Sequence, residues 1–411
     1  MITKDEEEAL SMDAPLQGMR VLDFTLFLSG PFGTQILGDM GADVIKVEPA
    51  NGDQTRYLPP NFVAGDSAYF LSVNRNKESI QIDYKTPDGL ALIERLAQES
   101  DVFVENQKPG NLAKYGITYE RLSALNPRLV WCSISGFGQQ GPYAGRPAYD
   151  MIVQALSGGM SMTGESDGKP VRSAIPIGDI AAGMYAVMGV LGALHARHRT
   201  GKGAYIDISM LDCQIAMLSY QAAYYLHSGR IPARQGRGHE SIPSYRAFTA
   251  GDGVDFVVCA NTDRMWHALC DVAGVGAWGR SAHFLSRQNR YEHRHEIWRV
   301  LEDALLARPA AEWVELLHSA DVPVAMVNTV DQALADVQVR QRGMVLTLES
   351  EAGQRVSVAG NPVKMTGIDE SAYRYPPSLG ADTKSVLQRL LGITEEEAQD
   401  LARRKIININ G

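Results

Sequence analysis

The stretch RVLDFTLFLSGPFGTQILGDMGADVIKVE, residues 20–48, decides the fold. It begins with a β-type apolar run over 20–25, passes through a helical pattern over 34–40, and ends in a second apolar run over 43–48. The alternation continues along the first half of the chain, with strands predicted at 79–83, 101–105, 129–135 and 205–209, and helices at 87–99, 118–125 and 180–198. Strands that alternate with helices indicate a parallel sheet covered on both faces, so the predicted fold class is α/β.

The second half of the chain follows a different pattern. Residues 228–244 are rich in Gly, Arg and Pro, which predicts an exposed connection. The elements predicted after it are strands at 256–260 and 322–327, a hairpin at 345–359, and a helical end at 383–404. Pro323 favours an edge position or a late start for the second of these strands. A smaller α/β domain is therefore expected between about 245 and 330.

Composition and charge exclude several classes of partner. The chain has 411 residues, with 39 Lys and Arg against 48 Asp and Glu, so its net charge is −9. An acidic protein is a poor match for nucleic acid or for an anionic membrane surface, and neither is predicted as a partner. Five of the acidic residues lie among the first 13, beside a single Lys, so the rest of the chain carries only −5. A local basic site for one anionic ligand remains compatible with this balance.

No segment is predicted to direct the chain to export or to a membrane. The N-terminal residues lack a basic segment followed by an apolar one. The most apolar uncharged run, 180–194, has 15 residues, whereas a membrane span needs about 18–20. The four cysteines show no CxxC spacing, which favours reduced, buried thiols. We therefore expect a cytoplasmic protein.

Familiar catalytic motifs are missing from the sequence. It has no Walker A loop, no GxSxG elbow, no HExxH pair, and no GxGxxG after the first predicted strand. His293, His295 and Glu296 lie together, but their spacing places the two histidines on different faces of a helix. A solvated helix face is favoured over a metal site, and no metal is predicted.

Asp179 is the residue that stands out chemically. It lies in IGDI, residues 177–180, directly before the most apolar stretch of the chain. One interpretation is a helix N-cap, whose carboxylate accepts hydrogen bonds from the first turn. The other is a carboxylate nucleophile, which a helix N-terminus keeps ionised and which Gly178 leaves open to a substrate on one side. The residues alone leave both interpretations open.

Seven segments, in this order and at this spacing, resemble the class III CoA-transferases, the CaiB/BaiF family. They are PLQGMRVLDFT (15–25), SGPFGTQILGDMGADVIKVEP (29–49), NRNKESIQIDYKTPDG (74–89), DVFVENQKPG (101–110), SISGFGQQGP (133–142), GDIAAGMYAVMGVLGAL (178–194) and RTGKGAYIDISMLD (199–212). Each segment alone is a weak signal, whereas the set is highly specific. The resemblance extends over nearly the whole chain, from about residue 15 to about residue 391.

The resemblance implies a division into domains and an assembly. The large domain is expected to be Rossmann-like and to be built from both ends of the chain, residues 1–225 and 330–411. An inserted small α/β domain with its linkers is expected over residues 226–329. Two chains are expected to interlock like linked rings, as a homodimer. The 39 glycines fit such an assembly, because crossing backbones approach closely.

The resemblance also implies a covalent role for Asp179. Its carboxylate is expected to attack the thioester of a donor acyl-CoA, giving an anhydride and then an aspartyl-CoA thioester, from which the acceptor acid receives CoA. Backbone N–H groups are expected to stabilise the oxyanions. The run Ser157-Gly158-Gly159 supplies such groups, forms a lid, or is an ordinary turn. The exchange requires neither ATP nor a metal.

Coenzyme A, which carries the acyl group as substrate, contains several phosphate groups, and Lys, Arg and backbone N–H groups bind phosphate. Matched residue by residue, the resemblance predicts CoA contacts at Leu28, Ser29, Lys46, Glu48, Asn74, Asn76, Lys77, Asn106, Gln107, Lys108, Lys114, Ser133, Ser135 and Gly136. Taken alone, Lys108 and Lys114 are more typical of solvated surface residues.

A few positions bear on the substrate. The family's racemases carry a His base where this chain has Tyr149, and a phenol of pKa near ~10 is a poor base. Formyl-CoA:oxalate transferases carry a Gln at the position of Leu28. The likeness is greatest to succinyl-CoA transferases that use glutarate or related dicarboxylates, so Arg172 or Arg237, with His239 nearby, is predicted to bind the second carboxylate. Ordinary loop positions fit each of these three residues equally well.

Two other functions remain as alternatives. One is an acyl-CoA racemase or isomerase of the same fold, which the tyrosine at position 149 disfavours. The other is a CoA-binding protein without catalytic activity, for which Asp179 as a plain N-cap is sufficient. The sequence names neither the donor nor the acceptor acid.

Overall fold

In the computed structural model the described residues are 14–409. They form two compact units. The large unit comprises the residues up to Gly159, Ser173–Leu226, and those from Arg340 onward, and the small unit comprises Met160–Arg172 and His227–Val339. The predicted domains, 1–225 with 330–411 and 226–329, remain predictions. The compact units differ from them in ending the small unit at Val339 and in adding Met160–Arg172 to it.

The large unit is built on a sheet of six parallel strands. They are β1 (Arg20–Phe24), β2 (Asp43–Glu48), β3 (Lys77–Gln81), β4 (Val102–Glu105), β5 (Val130–Ser135) and β6 (Tyr205–Ser209). Their order across the sheet is β3-β2-β1-β4-β5-β6, which is the doubly wound Rossmann order. The predicted α/β class is confirmed, and each strand lies within two residues of its predicted bounds. The order reverses between β1 and β4, where sheets of this type bind ligands.

Helices cover both faces of this sheet. In β1, Val21 packs in one core and Leu22 and Phe24 pack in the other, because successive side chains of a strand point to opposite faces. The α-helices that begin in the large unit are Ser29–Asp39, Ala68–Ser72, Pro87–Gln98, Tyr119–Leu125, Asp150–Leu156, Gly159–Met162, Ile177–Thr200, Met210–Met217, Tyr220–Ser228, Thr383–Leu391 and Glu395–Arg403. Two short strands, Phe62–Val63 and Asp66–Ser67, pair with each other outside the main sheet.

Two of these helices matter for the site and are named here. The first helix, Ser29–Asp39, begins five residues before its predicted start at Thr34, because Pro31 lies in the first turn, where its missing N–H breaks no intrahelical bond. The long helix is Ile177–Thr200. Within residues 14–409 it is the one helix whose length and composition suit a membrane span, but part of it is buried in a core of the large unit, so this is weak evidence for a membrane.

The small unit contains a three-stranded antiparallel sheet. Its strands are β7 (Tyr245–Thr249), β8 (Asp255–Cys259) and β9 (Val324–Met326), with β8 in the middle. As predicted, β9 follows Pro323 and lies at an edge. The sequence does not predict β7, whose residues are mostly half-buried and lack a clear alternation. Helices Asp263–Val272, Gly276–Gly279, Arg287–Glu292, Arg294–Leu305, Ala310–Ser319, Val330–Ala335 and Val337–Gln341 begin in this unit.

The C-terminal residues return to the large unit. The predicted hairpin is present as β10 (Val345–Glu349) and β11 (Arg355–Ala359). The helical end is divided in two by Gly392, which takes a left-handed conformation with φ of 64°. Asp382 accepts a hydrogen bond from the Ser79 N–H at 2.8 Å, and Ile82 pairs with Ile407. These contacts fix the end of the chain along the β3 edge of the sheet.

Candidate active site

The loops after β1 and β4 meet where the strand order reverses. The Asn106 side chain accepts a hydrogen bond from the Leu26 N–H (2.8 Å), and it donates to the Leu26 carbonyl (2.7 Å) and to the Ser29 hydroxyl (3.2 Å). Phe27 takes a positive φ of 65° in the tight turn between β1 and the first helix. One side chain at the end of β4 therefore fixes both the loop after β1 and the start of the first helix.

The first helix and the long helix approach each other closely at two glycines. A Cβ built on Gly183 would lie 2.6 Å from the Ser29 carbonyl oxygen, and one built on Gly33 would lie 3.0 Å from the Gly183 carbonyl oxygen. Asp179 precedes Gly183 by one turn, on the same face of the long helix. The crossing therefore brings Asp179 to the N-terminal end of the first helix.

A buried carboxylate, Asp150, holds the start of the long helix. It accepts a hydrogen bond from the Gly178 N–H (2.7 Å) and another from the Gln154 amide (2.6 Å). Gln154 in turn accepts the Ser173 N–H at 2.8 Å. The turn that carries Asp179 is thus fixed by groups outside the long helix.

Gly178 is required by its protein neighbours. A Cβ at this position would lie 2.5 Å from the Gln214 amide nitrogen and 3.0 Å from Asp150 Oδ1. Gln214 is itself held by the Ser157 hydroxyl, which donates to its amide oxygen at 2.7 Å. Gln214 and Asp150 thus occupy the space that a side chain at position 178 would take, and access of a substrate past Gly178 stays a prediction.

Asp179 is the third residue of the long helix and is partly buried. The N-cap position belongs to Pro176, which makes no side-chain hydrogen bond, so the N-cap interpretation of Asp179 is wrong. Among the described residues, none donates a hydrogen bond to the Asp179 carboxylate. Burial, and then the negative charge of Asp150, raise its pKa to about 7. These two effects outweigh the helix N-terminus, which by itself favours the ionised form.

A cleft of about 260 Å³ opens at the point where the strand order reverses. Its lining includes five of the predicted CoA contacts, namely Asn106, Gln107, Lys108, Ser135 and Gly136. The Ser135 hydroxyl is buried and has no hydrogen-bond partner among the described residues, so it is available to a ligand. Arg146 and Tyr149 line the cleft as well, and Tyr149 is 67% exposed. Leu28 and Ser29 are buried at the start of the first helix.

Five other predicted contacts are buried inside the fold: Lys46, Glu48, Asn74, Asn76 and Lys77. Lys46 donates to the Thr25 carbonyl at 2.7 Å and forms an ion pair with Asp53 at 3.0 Å. Lys77 donates to the Pro31 carbonyl at 3.0 Å, and burial lowers its pKa to about 8. These side chains stabilise the segments after β1 and β2, and their contact with CoA remains a prediction.

A larger cavity, of about 490 Å³, lies beside the carboxyl end of β4 and the neighbouring parts of β5 and β6. Lys108 borders both this cavity and the cleft, and Ser133 lines the cavity from β5. Glu105, at the end of β4, is buried there, and burial raises its pKa to about 7. Lys114 is exposed in the adjoining 3-10 turn Leu112–Tyr115. Predicted contacts from two segments, 106–108 and 133–136, thus line two neighbouring cavities.

The three residues predicted to bind the acceptor acid belong to the small unit. Arg172 is exposed. Arg237 already forms an ion pair with Asp255 at 2.6 Å. His239 stacks on Tyr245, with ring centroids 5.5 Å apart. Their role in binding the acceptor remains a prediction.

The His293 and His295 rings have separate protein neighbours. Nδ1 of His293 lies 2.9 Å from the Asn289 carbonyl oxygen, and His295 packs edge-on against Trp298 with centroids 5.0 Å apart. Across residues 14–409, no three His, Cys, Asp or Glu side chains are grouped so that they could hold a metal ion.

Sequence reasoning does not single out four residues of the site: Asp150, Gln154, Gln214 and Glu105. Asp150 and Gln154 carry one usable signal, because residues four apart share a helix face. Gln214 gives no such signal, since its position beside Gly178 is set by the packing of separate helices. The sequence predicts Glu105 as the last residue of a strand, and only its burial in the structure makes it unusual.

Comparison with known proteins identifies the family. A sequence profile described as CoA-transferase family III matches residues 16–383. The chain is 39% identical over 383 residues to a succinate–glutarate CoA-transferase of Agrobacterium fabrum, covering 92% of this chain and 96% of that one. It is 41% identical over 362 residues to an acetyl-CoA:oxalate CoA-transferase of Acetobacter aceti, covering 88% and 91%.

A solved structure agrees with these sequence matches. The crystal structure of a CaiB/BaiF family protein from Brucella suis matches with a TM-score of 0.82 and 36% identity, and the match covers 92% of this chain and 100% of that one. Its fold extends over both units described above. The chain therefore belongs to CoA-transferase family III and is a class III CoA-transferase.

Proposed function

We propose that this enzyme moves CoA from a donor such as succinyl-CoA to a dicarboxylate such as glutarate, with Asp179 as the nucleophile. The observation that carries the proposal is the state of the Asp179 carboxylate, which is partly buried and receives no hydrogen bond from any described residue. A buried structural carboxylate is normally hydrogen-bonded, as Asp150 is. Asp179 is instead left available to a substrate.

The exchange proceeds through acyl groups carried by Asp179. The carboxylate attacks the thioester carbon of the donor, a carbon–oxygen bond forms, and the carbon–sulfur bond breaks to give a mixed anhydride and the CoA thiolate. The thiolate attacks the aspartyl carbonyl and releases the donor acid, which leaves an aspartyl-CoA thioester. The acceptor carboxylate attacks the carbonyl of that thioester, and the carbon–sulfur bond breaks to give a second mixed anhydride and the CoA thiolate. The thiolate then attacks the acceptor carbonyl of this anhydride, whose bond to the Asp179 oxygen breaks. This last step frees Asp179 and the new acyl-CoA.

Burial of Asp179 serves this chemistry. A carboxylate with a pKa of about 7 is a stronger nucleophile than an ordinary one and is still partly ionised at neutral pH. The first N–H groups of a helix have no partner inside the helix, so those of Ser29 and Gly30 are suited to stabilise an oxyanion near Asp179. The sequence suggests the run Ser157-Gly158-Gly159 as an alternative source, but the Gly159 N–H already donates to the Ser157 hydroxyl at 3.3 Å.

CoA is proposed to occupy the cleft and the neighbouring cavity of the large unit. Lys108, which is exposed and borders both spaces, supplies positive charge for a phosphate group, as does Lys114. Asn106 and the unpartnered Ser135 hydroxyl offer hydrogen bonds in the cleft. The buried lysines of β2 and β3 act indirectly, by fixing the loops that form the cleft.

The two named relatives differ in their acceptor acid, glutarate in one and oxalate in the other. Leu28, buried at the start of the first helix, favours glutarate or a dicarboxylate of similar length, because an apolar side chain cannot hydrogen-bond a compact acid. The second carboxylate is proposed to bind Arg172 or Arg237, with His239 nearby. The exchange of one acyl-CoA for another is nearly isoenergetic, so it requires no metal.

The active form is proposed to be an interlocked homodimer in the cytoplasm. Large apolar side chains are exposed on the long helix, where Met184 is 45% and Met188 is 58% exposed, and on the helix Asp150–Leu156, where Ile152 is 49% and Leu156 is 50% exposed. Apolar surface of this kind is typical of regions that an assembly covers. This exposure supports the proposed dimer.

The test is incubation of the enzyme with succinyl-CoA and a panel of carboxylic acids, followed by mass spectrometry. Wild type is expected to form new acyl-CoA species with glutarate and to carry CoA covalently when the acceptor is omitted. Asp179→Asn should show neither product, whereas Asp212→Asn, a change at an exposed acidic residue of another helix, should show both. Exchange that survives in Asp179→Asn would overturn the proposal.

The same samples distinguish the alternatives. Incorporation of deuterium at the α-carbon without acyl exchange would indicate a racemase or isomerase. Binding of CoA without either reaction would indicate an inactive binding protein. Transfer to oxalate in preference to glutarate would leave the mechanism intact and would overturn the assignment of the acceptor.

A further inference from the structure

The small unit contains a basic cavity whose lining includes Arg237 and His239, two of the residues proposed above to bind the acceptor acid. Its volume is about 580 Å³, within the range of sites for small molecules. Its lining contains three glutamates and six arginines, the latter being Arg230, Arg234, Arg237, Arg246, Arg294 and Arg299. In a chain whose net charge is −9, this excess of arginine is not explained by composition.

Arg246, on β7, is one of the more buried of these arginines, with 12% of its side chain exposed. It pairs with Glu302 at 2.9 Å and lies over the Trp298 ring, 4.5 Å from the centroid. Its Nε atom is buried without a hydrogen-bond partner among the described residues. Burial and the positive charge of Arg237 lower its pKa. A guanidinium held beside a like charge, with a donor unused, is stabilised by an anion.

Other arginines of the cavity also have N–H donors that are not used in hydrogen bonds within the described residues. Arg299 is exposed and forms no ion pair within the part of the chain that the structure describes. Arg294 stacks on Tyr291, 4.7 Å from the ring centroid, and donates one hydrogen bond to the Tyr291 carbonyl at 3.0 Å. Each guanidinium has five N–H donors, so one such bond leaves most of them available.

We propose that this cavity binds a small dianion that carries carboxylate or phosphate groups. Arginine binds both groups through paired N–H donors, and Trp298 and Tyr291 provide apolar walls for the part of the ligand between its charges. The proposal rests on the proposed function in placing an acidic ligand beside Arg237 and His239. It concerns binding alone, so its test does not depend on transfer of CoA.

The test is isothermal titration calorimetry on the whole protein without CoA, using glutarate and inorganic pyrophosphate as probes. At least one probe should bind saturably, and its affinity should fall at least tenfold in Arg246→Gln and in Arg299→Gln. Arg264→Gln, a matched change at an exposed arginine paired with Asp321 outside the cavity, should leave the affinity unchanged. Tighter binding of glutarate identifies a dicarboxylate site, and tighter binding of pyrophosphate identifies a phosphate site.

Two controls keep the result decisive. Arg246 packs against Trp298, so its variant is open to misfolding, whereas Arg299 is exposed and its variant is expected to fold normally. Asp179→Asn should retain the binding, which separates binding in this cavity from the proposed covalent chemistry at Asp179. Failure of both probes to saturate at millimolar concentration, or equal affinity in the Arg299 and Arg264 variants, would overturn the proposal.

Discussion

Replacing Asp179 with Asn should stabilise the enzyme at alkaline pH. In the folded protein the pKa of Asp179 is raised from 3.8 to about 7, first by burial and then by the charge of Asp150. Because the folded state keeps a proton that the unfolded state releases, this carboxylate has no effect on stability below about pH 4, and its effect becomes increasingly unfavourable as the pH rises to about 7. Asn is similar in size and uncharged, so it removes this effect.

The magnitude follows from the shift. At about 1.36 kcal/mol per pKa unit, the ionised carboxylate lowers the free energy of unfolding by about 1 kcal/mol at about pH 4.5 and by about 4 kcal/mol at about pH 8. The advantage of Asp179→Asn over wild type should therefore grow by about 3 kcal/mol between these two pH values. A difference of this size also raises Tm by a few degrees.

Denaturant unfolding of wild type and Asp179→Asn at both pH values measures this difference. The matched control is Asp212→Asn, because Asp212 is an exposed acidic residue in the first turn of another helix. Loss of its favourable interaction with the helix N-terminus should destabilise the protein slightly, with no gain at alkaline pH. An advantage for Asp179→Asn that is equal at both pH values, or a variant less stable than wild type at about pH 8, would refute a desolvated nucleophile.

Three further changes examine other parts of the site. Gly183→Val should lower the free energy of unfolding, measured in denaturant, by at least about 2 kcal/mol, because the valine side chain meets the backbone of the first helix. The control Gly192→Ala, at a position that faces open space, should leave the free energy of unfolding unchanged or raise it by up to about 1 kcal/mol. Asp150→Asn should lower the pKa of Asp179 and move the acidic limb of the kcat/KM profile to lower pH, and an unmoved limb would contradict the charge effect. Ser135→Ala should change stability by less than about 1 kcal/mol and raise the KM for acyl-CoA, and an unchanged KM would remove this hydroxyl from the CoA site.

The strands of the six-stranded sheet could be predicted from the sequence because they are buried on both faces. Strands such as β2 and β5 appear as short, almost continuous apolar runs, each bounded by a turn or a helical pattern. The start of the first helix was less readable, since Ser-Gly-Pro at 29–31 is typical of a turn and begins a helix here. The strand β7 was not readable, because partners on one side only leave its residues half-exposed.

The buried lysines show where sequence reasoning about the site ends. Lys46 is a cation in a mostly apolar strand, and Lys77 begins a strand that is mostly buried. A buried cation needs an anionic partner. The sequence does not say which partner, and the resemblance to CoA-transferases points to CoA. The structure supplies the partners from within the fold, Asp53 for Lys46 and Asp23 for Lys77. Tertiary packing, which brings distant residues together, supplies these partners, and contact of either lysine with CoA remains a prediction.

Asp150 meets two requirements of a covalent carboxylate catalyst. It positions Asp179, because its carboxylate accepts the Gly178 N–H at the start of the long helix, and it raises the pKa of Asp179, because its charge lies nearby. A neutral hydrogen-bond acceptor at position 150 can meet the first requirement but not the second. The residue that holds Asp179 in place is therefore also one that lowers the stability of the fold when Asp179 is ionised. A variant that keeps the contact and removes the charge should separate the two effects, which is why Asp150→Asn is informative beyond a simple loss of activity.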